Sequence, residues 1–72
     1  MKKLNNIELP QLDGRGRVFP YHENGPQFAG PIMINGEIKV LKLWSNTTFD
    51  GRPYFRALIE SVEESQFEIT EN

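Results

Sequence analysis

The sequence has 72 residues and no cysteine, so it forms one small domain with neither a disulfide framework nor a thiolate metal site. Its formal net charge is −2, but all eight lysines and arginines lie within residues 1–56, and residues 57–72 contain five acidic residues and no basic one. This distribution is typical of a nucleic-acid-binding body with an acidic tail, and equally of ordinary solvated strand faces.

Residues 1–26 contain six prolines and glycines and few periodic apolar positions, which predicts mostly irregular structure. One short strand is expected at Arg17–Tyr21, at a sheet edge because Pro20 has no amide hydrogen to donate. We divide the chain into an N-terminal arm, residues 1–16, and a single small β domain, residues 17–72. The arm is expected to lie at the periphery of the sheet, anchored by four apolar residues: Leu4, Ile7, Leu9 and Leu12.

A tight hairpin is predicted in the centre of the chain. Its first strand is Gln27–Ile34, and Asn35-Gly36 follows. This dipeptide suits a type I′ turn because both residues tolerate positive φ. The return strand is Glu37–Ser45, in which the apolar phase shifts after Val40. The shift predicts either a β-bulge near Val40 or a strand that is buried on both faces.

Two further strands are predicted after a polar turn at residues 46–51. Arg52–Val62 carries apolar residues on both sides, and Gln66–Thr70 alternates strictly. A helix over Ala57–Phe67 is the alternative for this region, although its β-branched residues and the aromatic residues before it favour a strand. The interior is expected to contain nine residues: Ile32, Ile34, Ile38, Val40, Leu43, Phe55, Ala57, Ile59 and Phe67.

The predicted fold is all-β, either a small antiparallel meander or an OB-like, partly closed barrel of four to five strands. Basic and aromatic residues alternate on the two strands that flank the turn at 46–51. In sites for single-stranded nucleic acid, bases stack on rings and cations follow the phosphates. We therefore predict such a site at six residues: Lys39, Lys42, Trp44, Arg52, Tyr54 and Arg56. In the alternative interpretation, Trp44 and Tyr54 complete the core and the basic residues solubilise its rim.

The segment Gly36–Glu60, with its core K-x-W-S-N-T-T-x-D-G-R-P-Y-F at residues 42–55, covers about a third of the chain. It resembles small phage and plasmid proteins, including OB-fold single-stranded-DNA-binding proteins. The resemblance implies a five-stranded, partly closed Greek-key barrel whose second and third strands bind oligonucleotides. It also implies an acidic C-terminus that recruits partners.

The sequence offers no pattern typical of catalysis, of metal binding or of a cofactor site. Gly14-Arg15-Gly16-Arg17 has residue types that wrap a phosphate, but no Gly-Lys-Ser/Thr follows as in a nucleotide-hydrolysing loop. A flexible loop is the alternative interpretation. His22 is the only histidine, which excludes a two-histidine metal site. We therefore expect a protein that is not an enzyme and that holds no metal or cofactor.

The first predicted function is non-catalytic binding of single-stranded nucleic acid by a protein of phage or mobile-element type. The alternative is a small phage accessory protein that binds a host protein, through its exposed sheet edge or acidic end, and inhibits or redirects it. Self-association into a homo-oligomer is a third kind of partnership, because so short a chain has a thin core.

We predict no membrane partner, because the longest apolar runs span three residues and about 20 are needed to cross a bilayer. No apolar segment follows the two lysines near the N-terminus. We therefore expect no secretory signal and a cytoplasmic location, which is the host cell cytoplasm if a phage encodes the protein.

Overall fold

The computed structural model describes residues 2–21 and 25–71, so expectations about His22 lie outside the described residues. The elements in chain order are β1 (Lys2–Ile7), β2 (Phe19–Pro20), β3 (Phe28–Ile34), β4 (Glu37–Thr47), β5 (Pro53–Ser61), α1 (Val62–Ser65) and β6 (Phe67–Glu71). Strands β2, β3, β4 and β5 form an antiparallel sheet in that order, and β1 pairs with β6 in a parallel ladder. The predicted all-β fold is confirmed as a meander, because the four-stranded sheet does not close into a barrel.

The turn between β3 and β4 has the predicted two-residue form. Asn35 and Gly36 have positive φ angles of 52° and 75°, as a type I′ turn requires at both central positions. Ile34 pairs with Glu37 directly across them. The hairpin prediction is therefore confirmed.

Strand β4 lies inside the sheet and contains no bulge. Its register against β3 and β5 is continuous, so the bulge predicted near Val40 is wrong. Val40 is fully buried on one face, whereas Leu41 and Leu43 are half-buried on the other. The shift in apolar phase therefore marks an inner strand that carries apolar side chains on both faces.

The hairpin of β4 and β5 ends in a three-residue loop, residues 49–51, between Thr48 and Arg52. The Gly51 amide donates to the Thr48 carbonyl at 3.0 Å, and the Thr48 amide donates to the Arg52 carbonyl at 2.8 Å. Gly51 has φ 91°, the left-handed position that glycine adopts at no steric cost in this type of hairpin. Thr48 and Arg52 are consequently the hydrogen-bonded pair that closes the hairpin.

Between β5 and β6 the chain makes a single helical turn, α1. Ser61 Oγ accepts a hydrogen bond from the Glu64 amide at 3.1 Å and donates one to Glu64 Oε1 at 3.0 Å. Ser61 therefore caps the first helical turn, and the Glu64 carboxylate orients the capping hydroxyl. Gln66 ends the turn in the left-handed conformation, with φ 61°. The strand prediction is confirmed for β5, and the alternative helix over Ala57–Phe67 shrinks to the four residues of α1.

Strand β1 contributes to the core. Five buried apolar residues in the described part of the chain form one cluster: Leu4, Ile7, Ala29, Val40 and Phe67. Leu4 lies beside Ile69 in the parallel ladder with β6. The expectation of irregular, peripheral structure before residue 16 is therefore wrong for β1. The partner of β1 is β6 at the other end of the chain, and no local sequence pattern indicates that these two strands pair. The division into arm and domain stays a prediction.

The predicted interior is confirmed in part. Val40 and Phe67 are buried, and four further predicted residues are half-buried: Ile32, Ile34, Ile38 and Leu43. Phe55 and Ile59 are 56% and 44% exposed, and Ala57 is exposed as well. Burial is wrongly predicted for these three residues because they lie on an edge strand, on the face opposite Val40.

Candidate binding surface

The register between β4 and β5 brings three of the six predicted site residues together. Trp44 pairs with Arg56, and Asn46 pairs with Tyr54, so these side chains share one face of the sheet. The Arg56 guanidinium carbon lies 5.7 Å from the centroid of the Trp44 ring, within cation–π range. Tyr54 is 40% exposed, and Arg56 is exposed. We call Trp44, Tyr54 and Arg56 the aromatic–arginine cluster.

Lys42 lies on the same face but points into the protein. Its side chain is 12% exposed, and its Nζ lies 2.6 Å from Glu60 Oε1. The same nitrogen donates to the Ser65 carbonyl at 3.3 Å and lies 5.3 Å from the centroid of the Phe67 ring. Lys42 therefore neutralises an internal carboxylate and is removed from the surface available to phosphates.

The other two predicted cations also have carboxylate partners. Lys39 lies on the opposite sheet face from the cluster and pairs with Glu37 at 3.7 Å. Arg52 lies at the turn and pairs with Asp50 at 3.2 Å. The pKa of Asp50 is lowered from its ordinary value, first by the hydrogen bond from the Thr48 hydroxyl and then by Arg52. Of the predicted cations, Arg56 alone has no carboxylate partner among the described residues.

The Gly14–Arg17 segment lines the free side of β3 and does not form a phosphate loop. The Gly14 amide donates to the Met33 carbonyl at 2.8 Å, and the Arg17 amide donates to the Pro31 carbonyl at 3.1 Å. Arg17 also pairs with a carboxylate, that of Glu8, at 3.4 Å. A depression of about 520 Å³ lies beside this segment. The Gly14 and Arg17 amides are hydrogen-bonded to β3 carbonyls, however, and are not free to bind a phosphate.

Strand β5 is exposed along most of its length. It is nine residues long, and its first seven residues are exposed. Tyr54 and Leu58 on one face are 40% and 44% exposed, and Phe55 and Ile59 on the other are 56% and 44% exposed. The sequence pattern places Tyr54 and Arg56 of this strand in the predicted site but not Phe55 and Ile59, because apolar residues on both sides of a strand indicate burial.

The main-chain groups of β5 alternate between β4 and the free edge. Thr48 and Arg52 form a hydrogen-bonded pair at the turn, and every second residue of an antiparallel ladder repeats that arrangement. The even-numbered residues of β5 therefore bond to β4. The amide and carbonyl groups of Phe55, Ala57 and Ile59 point away from the sheet. Pro53 fits this alternation because it has no N–H and takes an outward position.

The two edges of the meander differ in their protection. Strand β2 spans two residues and contains Pro20, and a short edge with a proline resists pairing with another chain. Strand β5 carries its proline at its first residue and has no bulge. Nothing in the described ranges pairs with its outer edge. This edge is therefore available to an added strand.

Within residues 2–21 and 25–71, no three His, Cys, Asp or Glu side chains group as metal ligands would. No helix in the same residues is long and apolar enough to cross a membrane. No protein-family model, curated protein or solved structure matches this chain, so its function has to be inferred from its own surfaces.

Proposed function

We propose that this protein is a non-catalytic protein-binding module whose β5 edge accepts an extended strand of its partner. One observation carries the proposal: β5 is a nine-residue edge strand that is exposed on both faces from Pro53 to Ile59. Strand addition obtains affinity from main-chain hydrogen bonds and specificity from alternate side-chain contacts. A protein partner was the second of the two classes predicted from the sequence.

The side chains beside this edge favour an apolar, extended partner. Phe55 and Ile59 project from one face, and Tyr54 and Leu58 from the other. Full burial of such a side chain stabilises a complex by about 1.5 to 3 kcal/mol, and each main-chain hydrogen bond adds about 0.5 to 1.5 kcal/mol net. A strand rich in β-branched and aromatic residues would obtain both contributions.

A displayed library of random extended peptides tests this proposal. Wild-type protein should enrich peptides with apolar residues at alternating positions, and Ala57→Pro should not, because proline removes an outward amide and places its ring on the edge. Ala57→Gly is the matched control, since it also changes the side chain but keeps the amide. Circular dichroism would verify that both variants are folded.

Enrichment by wild type and by Ala57→Gly, with loss in Ala57→Pro, would support pairing at the β5 edge. Equal enrichment by wild type and Ala57→Pro would place the binding elsewhere. If the folded wild type enriches no peptide, short extended peptides are excluded as partners of this edge.

Single-stranded nucleic acid is the second candidate partner, and the aromatic–arginine cluster supports it. A guanidinium beside the Trp44 ring, with Tyr54 on the same face, offers flat surfaces for stacking and one cation for a phosphate. This candidate ranks second because Lys39, Lys42 and Arg52 are engaged with carboxylates. The phage origin and the cytoplasmic location remain predictions from the sequence.

A further inference from the structure

We infer that the strand added to β5 is β5 of a second copy of this chain, in an antiparallel pair with Leu58 on the two-fold axis. The inference rests on the proposed function of β5 as a pairing edge and names its partner. A two-fold interface brings the same surface of both copies together, so the edge has to complement itself.

The alternation of main-chain groups permits few symmetric registers. Outward-pointing residues have to face outward-pointing residues, so the axis passes through a single position near the middle of β5. An axis at Arg56 places two guanidinium groups opposite each other and sets Ile59 against Pro53, which has no amide hydrogen. An axis at Ala57 leaves Arg56 opposite the apolar Leu58 of the second copy.

An axis at Leu58 complements the charges. Residues two positions on either side of the axis then face each other, so Arg56 lies opposite Glu60 of the second copy, and the symmetry repeats the pair. Both side chains project from the same sheet face as Leu58. Glu60 is bound to Lys42 through Oε1 and its side chain is 25% exposed, so a carboxylate with two oxygens can also accept from Arg56. Opposite charges across strands favour this register over the other two.

The same axis satisfies the outward main-chain groups. Ala57 faces Ile59 of the second copy, and Phe55 faces Ser61, each in the arrangement that exchanges two hydrogen bonds. Four such pairs make about eight hydrogen bonds. Pro53 falls outside them, so its missing amide costs nothing. The pairing also covers apolar side chains that the single chain leaves exposed, Leu58 at its centre.

Cysteine crosslinking tests the register, because the natural sequence has no cysteine. Across a non-hydrogen-bonded pair the two Cα atoms are about 4.5 Å apart, which a disulfide can bridge. Leu58→Cys should therefore form a disulfide dimer under mild oxidation. Ala57→Cys is the matched control, because the two copies of residue 57 would lie on opposite sides of the axis, more than about 7 Å apart. Preferential crosslinking of Ala57→Cys would overturn the register.

Sedimentation equilibrium of the cysteine-free protein tests the dimer itself. Wild type should show a monomer–dimer equilibrium that shifts with concentration, and Ala57→Pro should remain monomeric. Arg56→Glu provides a second variant if Ala57→Pro does not fold. It places a carboxylate at residue 56 opposite the Glu60 carboxylate of the second copy, and this repulsion should weaken self-association at least tenfold, or about 1.4 kcal/mol.

Wild type that stays monomeric throughout the concentration series, with no crosslinking of Leu58→Cys, would overturn the inference. The proposed function would still stand in that case if the monomer enriches extended peptides and Ala57→Pro does not. Failure of the dimer and failure of the pairing edge are therefore separate results.

Discussion

The ammonium nitrogen of Lys42 lies 2.6 Å from Oε1 of Glu60, on the sheet face that packs against Phe67. Lys42 pairs with Leu58 across β4 and β5, so Glu60 is its diagonal neighbour. The two side chains are 12% and 25% exposed, which leaves little water to solvate either charge alone. The ion pair explains why Lys42 is absent from the exposed binding surface although it shares a sheet face with Trp44 and Arg56.

Replacing Lys42 with Met should lower the free energy of unfolding by about 2 to 3 kcal/mol, because Glu60 would keep a poorly solvated charge. Urea denaturation measures this loss. Lys39→Met is the matched control, since Lys39 and Glu37 are 28% and 67% exposed and exposed pairs contribute less than about 1 kcal/mol. The double variant Lys42→Met with Glu60→Gln should recover part of the loss. Equal losses for the two single lysine variants would contradict an internal role for Lys42.

Two phenylalanines should respond differently to truncation. Phe67 is 2% exposed and Phe55 is 56% exposed, although the sequence pattern predicts burial for both. Phe67→Ala should cost about 3 to 5 kcal/mol. Phe55→Ala should cost about 1 kcal/mol, mainly through its edge-on contact with Phe28 at 5.8 Å. Thermal unfolding compares the two variants in dilute protein, where self-association is weakest. Similar losses of stability would show that Phe55 is covered in the folded chain.

The local parts of the fold could be predicted from the sequence. Asn35-Gly36 specifies its turn because few dipeptides tolerate two positive φ angles, and Gln66–Thr70 shows the alternation of a half-buried strand. Ser61 and Glu64 carry the capping signal that places α1. In the sequence the same residues are also consistent with a simple break between two strands.

The non-local parts could not be predicted. The pairing of β1 with β6 joins residues at opposite ends of the chain. The prolines and glycines after Ile7 indicate irregular structure for the whole N-terminal region and so hide β1. Apolar residues on both sides of β5 suit an inner strand and an exposed edge equally well. The Glu60 partner of Lys42 depends on the register between β4 and β5, which composition does not contain. For these reasons the sequence correctly placed Trp44, Tyr54 and Arg56 on one face but wrongly added Lys42 to the exposed surface.

Gly30→Ala should destabilise the outer part of the meander. A Cβ atom at residue 30 would overlap the carbonyl oxygen of Arg17, and this oxygen belongs to main chain that cannot rotate away. Overpacking of this kind costs about 1 to 3 kcal/mol or more, and β2 would have to move off β3. Hydrogen exchange at Tyr21, whose amide donates to Gln27, reports the displacement.

Gly36→Asn is the control for the glycine variant. Gly36 has positive φ and nothing within 4 Å of its Cβ position, and asparagine tolerates the left-handed region better than other residues with side chains. Gly36→Asn should therefore lower the free energy of unfolding by less than about 1 kcal/mol. A Gly30→Ala protein as stable as this control would mean that the Arg17 carbonyl does not lie over residue 30.

Asp50 should titrate below its ordinary value of 3.8 in the folded protein, because the Thr48 hydroxyl and then Arg52 stabilise the carboxylate. A lowered folded-state pKa means that the stabilisation is present above the ordinary value and is lost as the pH falls through the folded-state pKa. Carboxyl-carbon NMR titration measures it. Thr48→Val should raise the Asp50 pKa, because it removes the hydroxyl that donates to the carboxylate. An unchanged pKa in Thr48→Val would rule out the hydroxyl as the main cause.

Binding of single-stranded nucleic acid should depend on the aromatic–arginine cluster and not on Lys42. Stacking on a ring contributes about 1 to 3 kcal/mol per base, so Trp44→Ala should weaken binding of a labelled oligonucleotide about 5- to 150-fold with little sequence preference. Arg56→Ala should lower the slope of log affinity against log salt by about 0.7 to 1, the amount expected for one lost phosphate contact. Lys42→Met should leave that slope unchanged, because its ammonium is held by Glu60. Fluorescence anisotropy at two salt concentrations measures all three effects. A folded wild-type protein that binds no oligonucleotide at low salt, where attraction to phosphates is strongest, would eliminate nucleic acid as a partner and leave the β5 edge as the binding surface.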